Sequence, residues 1–227
     1  MMRGKNTKGG RASRSALVAL LFLVVAGVLL YFFHPVVLTA AGRYLAPEGA
    51  GKADVVVLEG GELVREQAVK IGMRLISSGR ANGLVVVYQE SENEKAFGKP
   101  ADYALFLIQK IGDLGLKKDQ IKIISVPQEH PITLSEARVV LSHLSGDKIQ
   151  SAILVTEGFH SRRSYWVYKE VGIPLRIDII PYPYFSRFKI DGWWRQAWGV
   201  RNFVEESVKF CYYLLRGYVP LKSMVAT

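Results

Sequence analysis

Short apolar runs rich in β-branched residues alternate along the chain with longer segments in which apolar residues recur every three or four positions. The first pattern is typical of strands buried on both faces, and the second of helices that pack on one side. The predicted strands are 54–58, 84–88, 120–126, 152–156 and 175–180, and the predicted helices are 62–78, 100–111, 131–144, 159–172 and 193–216. This alternation indicates an α/β fold, with a parallel sheet covered by helices on both faces.

A longer apolar segment precedes the first strand. Ala16 to Phe33 contains 18 consecutive residues without a charged or strongly polar side chain, which is long enough to span a bilayer core. Because basic residues precede it and almost no charge follows directly, we expect an uncleaved signal anchor whose amino terminus is cytoplasmic. A cleaved signal peptide is the alternative, although residues 38–41 make a poor cleavage site.

The predicted organisation is that of a single-pass protein of the plasma or inner membrane. Its parts are a basic cytoplasmic tail (1–15), a transmembrane signal anchor (16–38), a linker (39–52), an extracytoplasmic α/β domain (53–217) and a carboxyl-terminal tail (218–227).

The net charge of +10 comes from 30 Lys and Arg residues against 20 Asp and Glu residues. Six of the basic residues precede the first acidic residue, Glu48, so the rest of the chain holds 24 basic against 20 acidic residues. No basic stripe interleaved with aromatic residues stands out in that remainder. We therefore expect no nucleic-acid partner.

The last predicted helix contains the single cysteine, which excludes an intrachain disulfide. Cys211 lies on the apolar stripe Val204, Val208, Cys211 and Leu215, which predicts a buried, inert thiol.

The same region is crowded with aromatic residues, namely Trp193, Trp194, Trp198, Phe203, Phe210, Tyr212 and Tyr213. Because one buried stripe cannot hold them all, we expect part of this surface to rest on the membrane or on a partner. The alternative is that all of it packs on the sheet.

The turn after the fourth predicted strand carries the most candidate chemistry. The buried run ends at Thr156, and a glycine-containing turn then delivers His160, Arg162 and Arg163 into the next helix. Ligands of open α/β sheets bind at the carboxyl ends of strands, beside helix amino termini that favour anions. We predict that Thr156 and a solvated Arg163 bind a ligand, and that His160, kept neutral by the helix dipole, serves as acid or base. The alternative is a solvated basic helix start.

Two other strand ends meet the same edge of the predicted sheet. Gly60 and Gly61 would let a ligand approach the backbone closely, and Arg65 could reach this edge from the following helix. Thr133 and Glu136 have the spacing of a capping box, and the alternative places Thr133 against the ligand. Acidic and histidine residues lack metal-ligand spacing, and there is no dinucleotide fingerprint, Walker motif or nucleophile elbow. We predict no metal site, and the sequence identifies no cofactor.

Four motifs follow one another between about Ala53 and Gly217. They are Asp54-Val-Val-Val-Leu-x-Gly60-Gly61 with Arg65 downstream, Thr133-x-x-Glu136-Ala137, Leu154-Val155-Thr156-x-x-x-His160-x-x-Arg163, and an aromatic, acidic helix around Trp193, Trp194 and Glu205. In this order they resemble the SanA/ElyC/YdcF-like family of domains of unknown function. The resemblance implies a Rossmann-like three-layer domain, often membrane-anchored and facing outward. It also implies a role in cell-envelope biogenesis, through peptidoglycan or lipid-linked polysaccharide, and S-adenosylmethionine binding is associated with a soluble relative.

The chain departs from the family pattern at three turns. Glu59 stands where the family usually has a third glycine, Tyr88-Gln89-Glu90 stands where Ser-Gly-Gly is usual, and Glu136 replaces an expected asparagine. The added acidic groups suggest that the usual ligand is bound differently or that catalysis is lost.

The first functional hypothesis is a pocket that binds an anionic, phosphate-bearing envelope precursor. Arg65 and Arg163 would clamp the anion and His160 would transfer protons. The full predicted set is Gly60, Gly61, Arg65, Thr133, Thr156, His160 and Arg163. The alternatives are a non-catalytic envelope scaffold with a decayed pocket, and an S-adenosylmethionine- or nucleotide-binding transferase. The partners expected are the membrane and an envelope precursor or cell-wall synthesis proteins.

Overall fold

A computed structural model describes residues 9–61, 64–90 and 100–225. Within these residues, five parallel strands form one sheet in the order β3-β2-β1-β4-β5. The strands are β1 (Val55–Leu58), β2 (Gly83–Glu90), β3 (Ile121–Pro127), β4 (Ser151–Glu157) and β5 (Asp178–Tyr184). The helices are α1 (Gly9–Leu45), α2 (Glu66–Ser77), α3 (Pro100–Asp113), α4 (Ile132–Gly146), α5 (Ser161–Gly172) and α6 (Ala197–Leu215). The predicted α/β alternation is confirmed.

Helices cover both faces of the sheet. Successive side chains of a strand point to opposite faces, and in β1 both sets are buried. Val55 and Val57 pack into a cluster with residues of α4, α5 and α6. Val56 and Leu58 pack into a second cluster with residues of α2 and α3. The sheet is therefore the middle of three layers, which fits a Rossmann-like layout.

The strand order places a topological switch point between β1 and β4. These two strands are neighbours, with Leu58 opposite Val155 near their carboxyl ends. The chain leaves β1 toward α2 on one face and leaves β4 toward α5 on the other. The two connections diverge, and this opens a crevice at the sheet edge where α/β proteins bind ligands.

Helix α1 is long and bent. Among the described residues, no single helix is both long and apolar enough to cross a membrane. The two parts of α1, Leu17–Leu29 and Tyr31–Leu45, meet at 51° and satisfy the requirement together, by length and composition alone. Pro35 cannot donate the helical hydrogen bond to the carbonyl of Tyr31, which accepts one from His34 Nδ1 instead (2.6 Å).

The end of α1 belongs to the domain. Residues 39–45, predicted as part of a linker, are helical, and Leu45 is buried in a cluster with Phe159 and Trp193. The indole N–H of Trp193 donates to the carbonyl of Leu38 (2.9 Å). These contacts fix the orientation of the last turns of α1 against the α/β core.

Arg162 connects the end of α1 to the carboxyl-terminal segment. It is 2% exposed, its Nη1 donates to the carbonyl of Tyr44 (2.9 Å), and its Nη2 donates to the carbonyl of Ser223. The guanidinium also stacks on the Tyr44 ring, 3.7 Å from its centroid. Arg162 is therefore structural, and residues 218–225 of the predicted tail pack on the domain through it.

The fifth strand lies later than predicted, at Asp178–Tyr184 instead of 175–180. A 3-10 turn follows α5 and ends at Arg176, which adopts a left-handed conformation with φ of 56°. The strand begins only after that reversal. Pro181 and Pro183 weaken the strand pattern in the sequence, but β5 is an edge strand, where proline is tolerated.

Other boundaries also differ from prediction. Helix α6 begins at Ala197, because Trp193–Arg195 form a separate 3-10 turn. Residues 62–63, the predicted start of α2, lie outside the described residues, and the helix begins at Glu66 after an extended Arg65. β2 continues to Glu90, because its last residues pair with β3. The predicted polar loop at 91–99 lies outside the described residues.

The side of helix α6 that packs on the core is not the predicted apolar stripe that contains Cys211. Glu206, Phe210 and Tyr213 are buried, whereas Cys211 is exposed. The prediction of a buried thiol is therefore wrong. The buried ion pairs of Glu206, described below, fix the rotation of the helix and turn the stripe outward.

Candidate functional site

The switch point brings Glu59 and His160 together. Glu59 directly follows β1, and His160 ends the short 3-10 turn between β4 and α5. Gly158 opens this turn with φ of +64°, and a Cβ there would lie 2.5 Å from Asn202 Oδ1 of α6. The same oxygen accepts a hydrogen bond from the N–H of Phe159 (3.0 Å). Glycine thus allows the turn to dock on α6, and this docking positions His160.

His160 lies between two carboxylates. Its Nε2 is 2.8 Å from Glu59 Oε1, and its Nδ1 is 3.1 Å from Glu206 Oε2. Burial and the neighbouring Arg163 oppose protonation, but the two carboxylates outweigh them and raise the pKa of His160 to about 9. This raised pKa favours the protonated ring, whose Nε2–H donates to Glu59. Nδ1 also lies 2.5 Å from Nη2 of Arg163, which can only donate, so this nitrogen is shared between Arg163 and Glu206. The prediction of a neutral ring fails because adjacent carboxylates outweigh a helix dipole.

Arg163 holds Glu206 in place. Its Nε and Nη2 donate to Glu206 Oε2 (3.1 and 2.9 Å), and its Nη1 donates to Thr133 Oγ1 (2.6 Å). Lys209 Nζ donates to the other carboxylate oxygen of Glu206 (2.9 Å). Burial opposes ionisation of Glu206, yet His160 and Arg163 hold its pKa far below the usual range. Arg163 is only 5% exposed, so the predicted solvated arginine is instead a buried ion-pair partner.

Glu136 fixes the turn after β1. It is 1% exposed and accepts hydrogen bonds from the N–H of Gly60 (3.1 Å), the hydroxyl of Tyr168 (2.8 Å) and the side-chain amide of Gln89 (3.0 Å). Burial, aided by the charge of Glu59, raises the pKa of Glu136. Because Glu136 occupies the Gly60 N–H, this group is not free to cradle a phosphate.

The predicted capping box at the start of α4 does not form. The residue at the N-cap is Pro131, and no side chain caps the helix there. Thr133 and Glu136 turn inward and bind Arg163 and Gly60. Buried hydrogen-bond donors from other elements thus replace the local capping interaction.

Glu59 retains an unused acceptor. Its Oε1 accepts hydrogen bonds from His160 Nε2 and from Ser164 Oγ (2.8 and 2.5 Å). Its Oε2 is buried and has no hydrogen-bond partner among the described residues, and the side chain is 6% exposed. A buried polar oxygen left in this state needs an explanation, and a ligand group is one.

Two cavities meet at this carboxylate. One of about 220 Å³ lies toward α2, and one of about 550 Å³ lies toward α4 and α6. Both are lined by Glu59, Gly60 and His160. The larger one, here called the main cleft, is further lined by Gln89, His130, Thr133, Glu136, Arg163, Glu206, Lys209, Tyr212, Tyr213 and Tyr218.

Most of the predicted site residues line one of these cavities. Thr133 and Arg163 line the main cleft together with Gly60 and His160, and Gly61 and Arg65 line the smaller cavity. Thr156 lines neither. It is 2% exposed and shares a hydrogen bond of 2.5 Å with Ser161 Oγ, so its role is structural.

Arg65 is already bound to a carboxylate. Its Nε and Nη1 lie 2.9 and 3.2 Å from the two carboxylate oxygens of Glu157, at the end of β4. The same glutamate accepts a hydrogen bond from Ser186. Neither Arg65 nor Arg163 is thus a free clamp for an anion.

The sequence did not identify Glu206, Ser164 or Tyr168 as site residues. It singled out Glu205, but this side chain is exposed and pairs with Arg201 within α6 (2.6 Å). A signal was nevertheless present, because Glu206 lies four and seven residues before Phe210 and Tyr213. An acidic residue at helical spacing from large aromatics indicates a buried, paired carboxylate.

The described part of the chain contains no group of three or more His, Cys, Asp or Glu side chains that could hold a metal ion. At the site itself, His160 directs both ring nitrogens toward carboxylates.

Comparisons with known proteins found no match: the chain matches no family model, no curated protein and no solved structure. The interpretation of the site therefore depends on its geometry and on the motifs of the sequence.

Proposed function

We propose that the chain is a membrane-anchored, extracytoplasmic domain of the SanA/ElyC/YdcF-like kind that acts in cell-envelope biogenesis. Four motifs in the family's order and the apolar amino-terminal segment support this proposal. We further propose that Glu59 and His160 form its proton-transfer site. The observation that carries this second part is the buried Oε2 of Glu59, which has no partner in the described structure and belongs to a residue that lines both cavities.

The chemistry proposed for this pair is general acid–base catalysis. Leaving a buried acceptor unpaired costs about 1–3 kcal/mol, and a ligand O–H that donates to Oε2 would remove this cost. Glu59 would accept the proton of a ligand hydroxyl or water molecule in the cleft. His160 supports this role because its Nε2 lies 2.8 Å from Oε1 and holds the carboxylate in a fixed orientation toward the cleft.

The proposed ligand is an envelope precursor that carries a phosphate. Arg163 is buried against Glu206, and Arg65 is bound to Glu157, so the anionic group would contact Lys209. Lys209 also pairs with Glu206 (2.9 Å), but its ammonium has two further N–H donors and its side chain is 52% exposed at the main cleft. Three tyrosines of the same cleft, Tyr212, Tyr213 and Tyr218, offer apolar ring faces to an uncharged part of the ligand.

A non-catalytic scaffold is the second candidate. It is favoured by the pairing of Arg65 with Glu157 and of Arg163 with Glu206, since ion-pair networks of this kind also occur where no ligand binds. This candidate assigns His160 and its two carboxylates to holding α5 and α6 on the sheet.

Thermal unfolding of the full chain in detergent micelles distinguishes these candidates. We expect a polyprenyl phosphate to stabilise the protein, by about 2.7 kcal/mol at 100 times its dissociation constant. Replacement of Lys209 by alanine should reduce this stabilisation, whereas Lys70→Ala, which removes an exposed lysine on α2, should not. Stabilisation by S-adenosylmethionine or a nucleotide instead would favour the transferase, and no response to any ligand would favour the scaffold.

A further inference from the structure

The outer face of α6 is apolar and uncovered. Val204, Val208 and Leu215 are 54, 65 and 87% exposed, and Cys211 is exposed as well. These four residues recur at three- and four-residue spacing, so they form one row along the helix, here called the outer stripe. Since the core-facing side of α6 is already packed, the fold of the domain does not explain this row.

Helix α6 lies beside the end of α1. Phe203 of α6 packs in one cluster with Leu38 and Tyr44 of α1. Beyond the end of α6, the carbonyl of Met224 accepts a hydrogen bond from the Tyr44 hydroxyl (3.0 Å). The segment after α6 adds further exposed apolar side chains, namely Leu221, Met224 and Val225. These contacts hold α6 and the segment after it next to the end of α1, whose apolar residues from Leu17 to Val37 are largely exposed.

Basic residues surround this surface. From Arg195 to the carboxyl terminus the sequence contains five basic and two acidic residues, and one of the acidic residues, Glu206, is buried in the site. Arg216 is exposed just after the last residue of the stripe, and Arg201 is exposed on the same helix and pairs with Glu205 (2.6 Å). An exposed apolar face flanked by cations is typical of helices that lie in the interface of an anionic bilayer.

We propose that the outer stripe rests on the surface of the bilayer in which α1 is anchored, with the neighbouring basic residues at anionic lipid headgroups. This inference depends on the membrane anchor of the proposed function. A second copy of the chain fits less well, because apposing two such faces would bring like charges together.

This orientation has a consequence for the substrate. Tyr212 directly follows Cys211 in α6 and lines the main cleft together with Lys209. The cleft therefore opens next to the membrane-facing side of the helix. A precursor whose phosphate is attached to a lipid could reach Lys209 without leaving the bilayer, so the substrate class assigned by this geometry is a lipid-linked one.

The sole cysteine of the chain provides the test, because Cys211 lies in the outer stripe. The full chain is labelled at Cys211 with an environment-sensitive fluorophore and reconstituted into phosphatidylglycerol–phosphatidylcholine vesicles, with or without brominated acyl chains. We expect brominated lipid to reduce the emission at least about twofold. The matched control carries Cys211→Ser and Lys70→Cys, which moves the label to an exposed position on α2 on the other face of the sheet, and its emission should not change.

Flotation of the same vesicles measures membrane attachment through α1 independently of contact at the outer stripe. A chain that floats but shows no bromine quenching at Cys211 would overturn the inference and leave the anchor intact. A chain that does not float would overturn both. Quenching abolished by Val208→Glu, without loss of thermal stability, would support bilayer contact. If unlabelled Cys211 forms a disulfide between two copies in vesicles, and labelled Cys211 is not quenched, the outer stripe would be a self-association surface.

Discussion

Two arginine–glutamate pairs differ strongly in burial, and this difference predicts their contributions to stability. Arg163 and Glu206 are each 6% exposed at the side chain, whereas Arg201 and Glu205 are 66 and 44% exposed. Arg163→Ala leaves a buried carboxylate without its main partner and should lower the free energy of unfolding by about 3–5 kcal/mol. Arg201→Ala, the matched control, should change it by less than about 1 kcal/mol. Chemical denaturation of both variants measures this, and equal effects would contradict the buried ion pair.

The raised pKa of His160 predicts how stability depends on pH. Folding raises this pKa from about 6.5 to about 9, so the folded protein binds the proton more tightly than the unfolded chain. The resulting stability is fully present below about pH 6.5 and is lost as the pH rises through about 9. We expect the melting temperature to fall over this interval, and to fall less in His160→Gln. Thermal melts of both proteins across the interval provide the measurement, and parallel curves would contradict the assigned charge state.

For individual residues of the site, the sequence predicted positions better than roles. Gly60, Thr133, His160 and Arg163 were placed at one sheet edge because parallel strands require it, and they do line one cleft. The partners that set their charge states come from elements distant in sequence, as Glu206 does for His160. The spacing of Glu206 from Phe210 and Tyr213 indicates that it is buried, but no local pattern specifies which residue of another element it will pair with.

Among the elements, α2 lies unusually close to the sheet because of a glycine. A Cβ at Gly72 would lie 2.5 Å from Leu84 Cδ1, whereas one at Gly112 in α3 would meet nothing within 4 Å. Gly72→Ala should therefore destabilise the protein by about 1–3 kcal/mol through overpacking. Gly112→Ala should be neutral or stabilising by up to about 1 kcal/mol, since alanine favours a helix. A Gly72→Ala variant as stable as the wild type would show that α2 or the side chain of Leu84 can shift to make room.

The central strands were predictable because they are buried on both faces and form continuous apolar runs, as in β1 and β4. The edge strand β5 was displaced because Pro181 and Pro183 interrupt its run. The inward face of α6 was not predictable from its apolar stripe. The buried ion pairs of Glu206 determine which face of α6 packs inward, and ion pairs cannot be recognised from hydrophobic periodicity.

At the scale of the whole molecule, the proposed topology places the domain outside the cytoplasm. The basic residues before Ala16 should retain the amino terminus inside, so one crossing would export everything after α1. A phosphatase that is active only after export, fused after Thr227, should be active. A fluorescent protein that matures only in the cytoplasm, fused at the same position, should be dark. The reverse pattern would exclude an envelope role.

The central claim is that the carboxylate of Glu59 transfers protons, and complementation tests it most directly. In cells that lack the gene, Glu59→Gln keeps the size of the side chain and removes its ionisable carboxyl group. The matched control is Glu205→Gln, an exposed glutamate outside both cavities at the site. We predict that Glu59→Gln accumulates as a folded protein but does not restore envelope function, while Glu205→Gln restores it fully. Full complementation by Glu59→Gln would contradict the proton-transfer site.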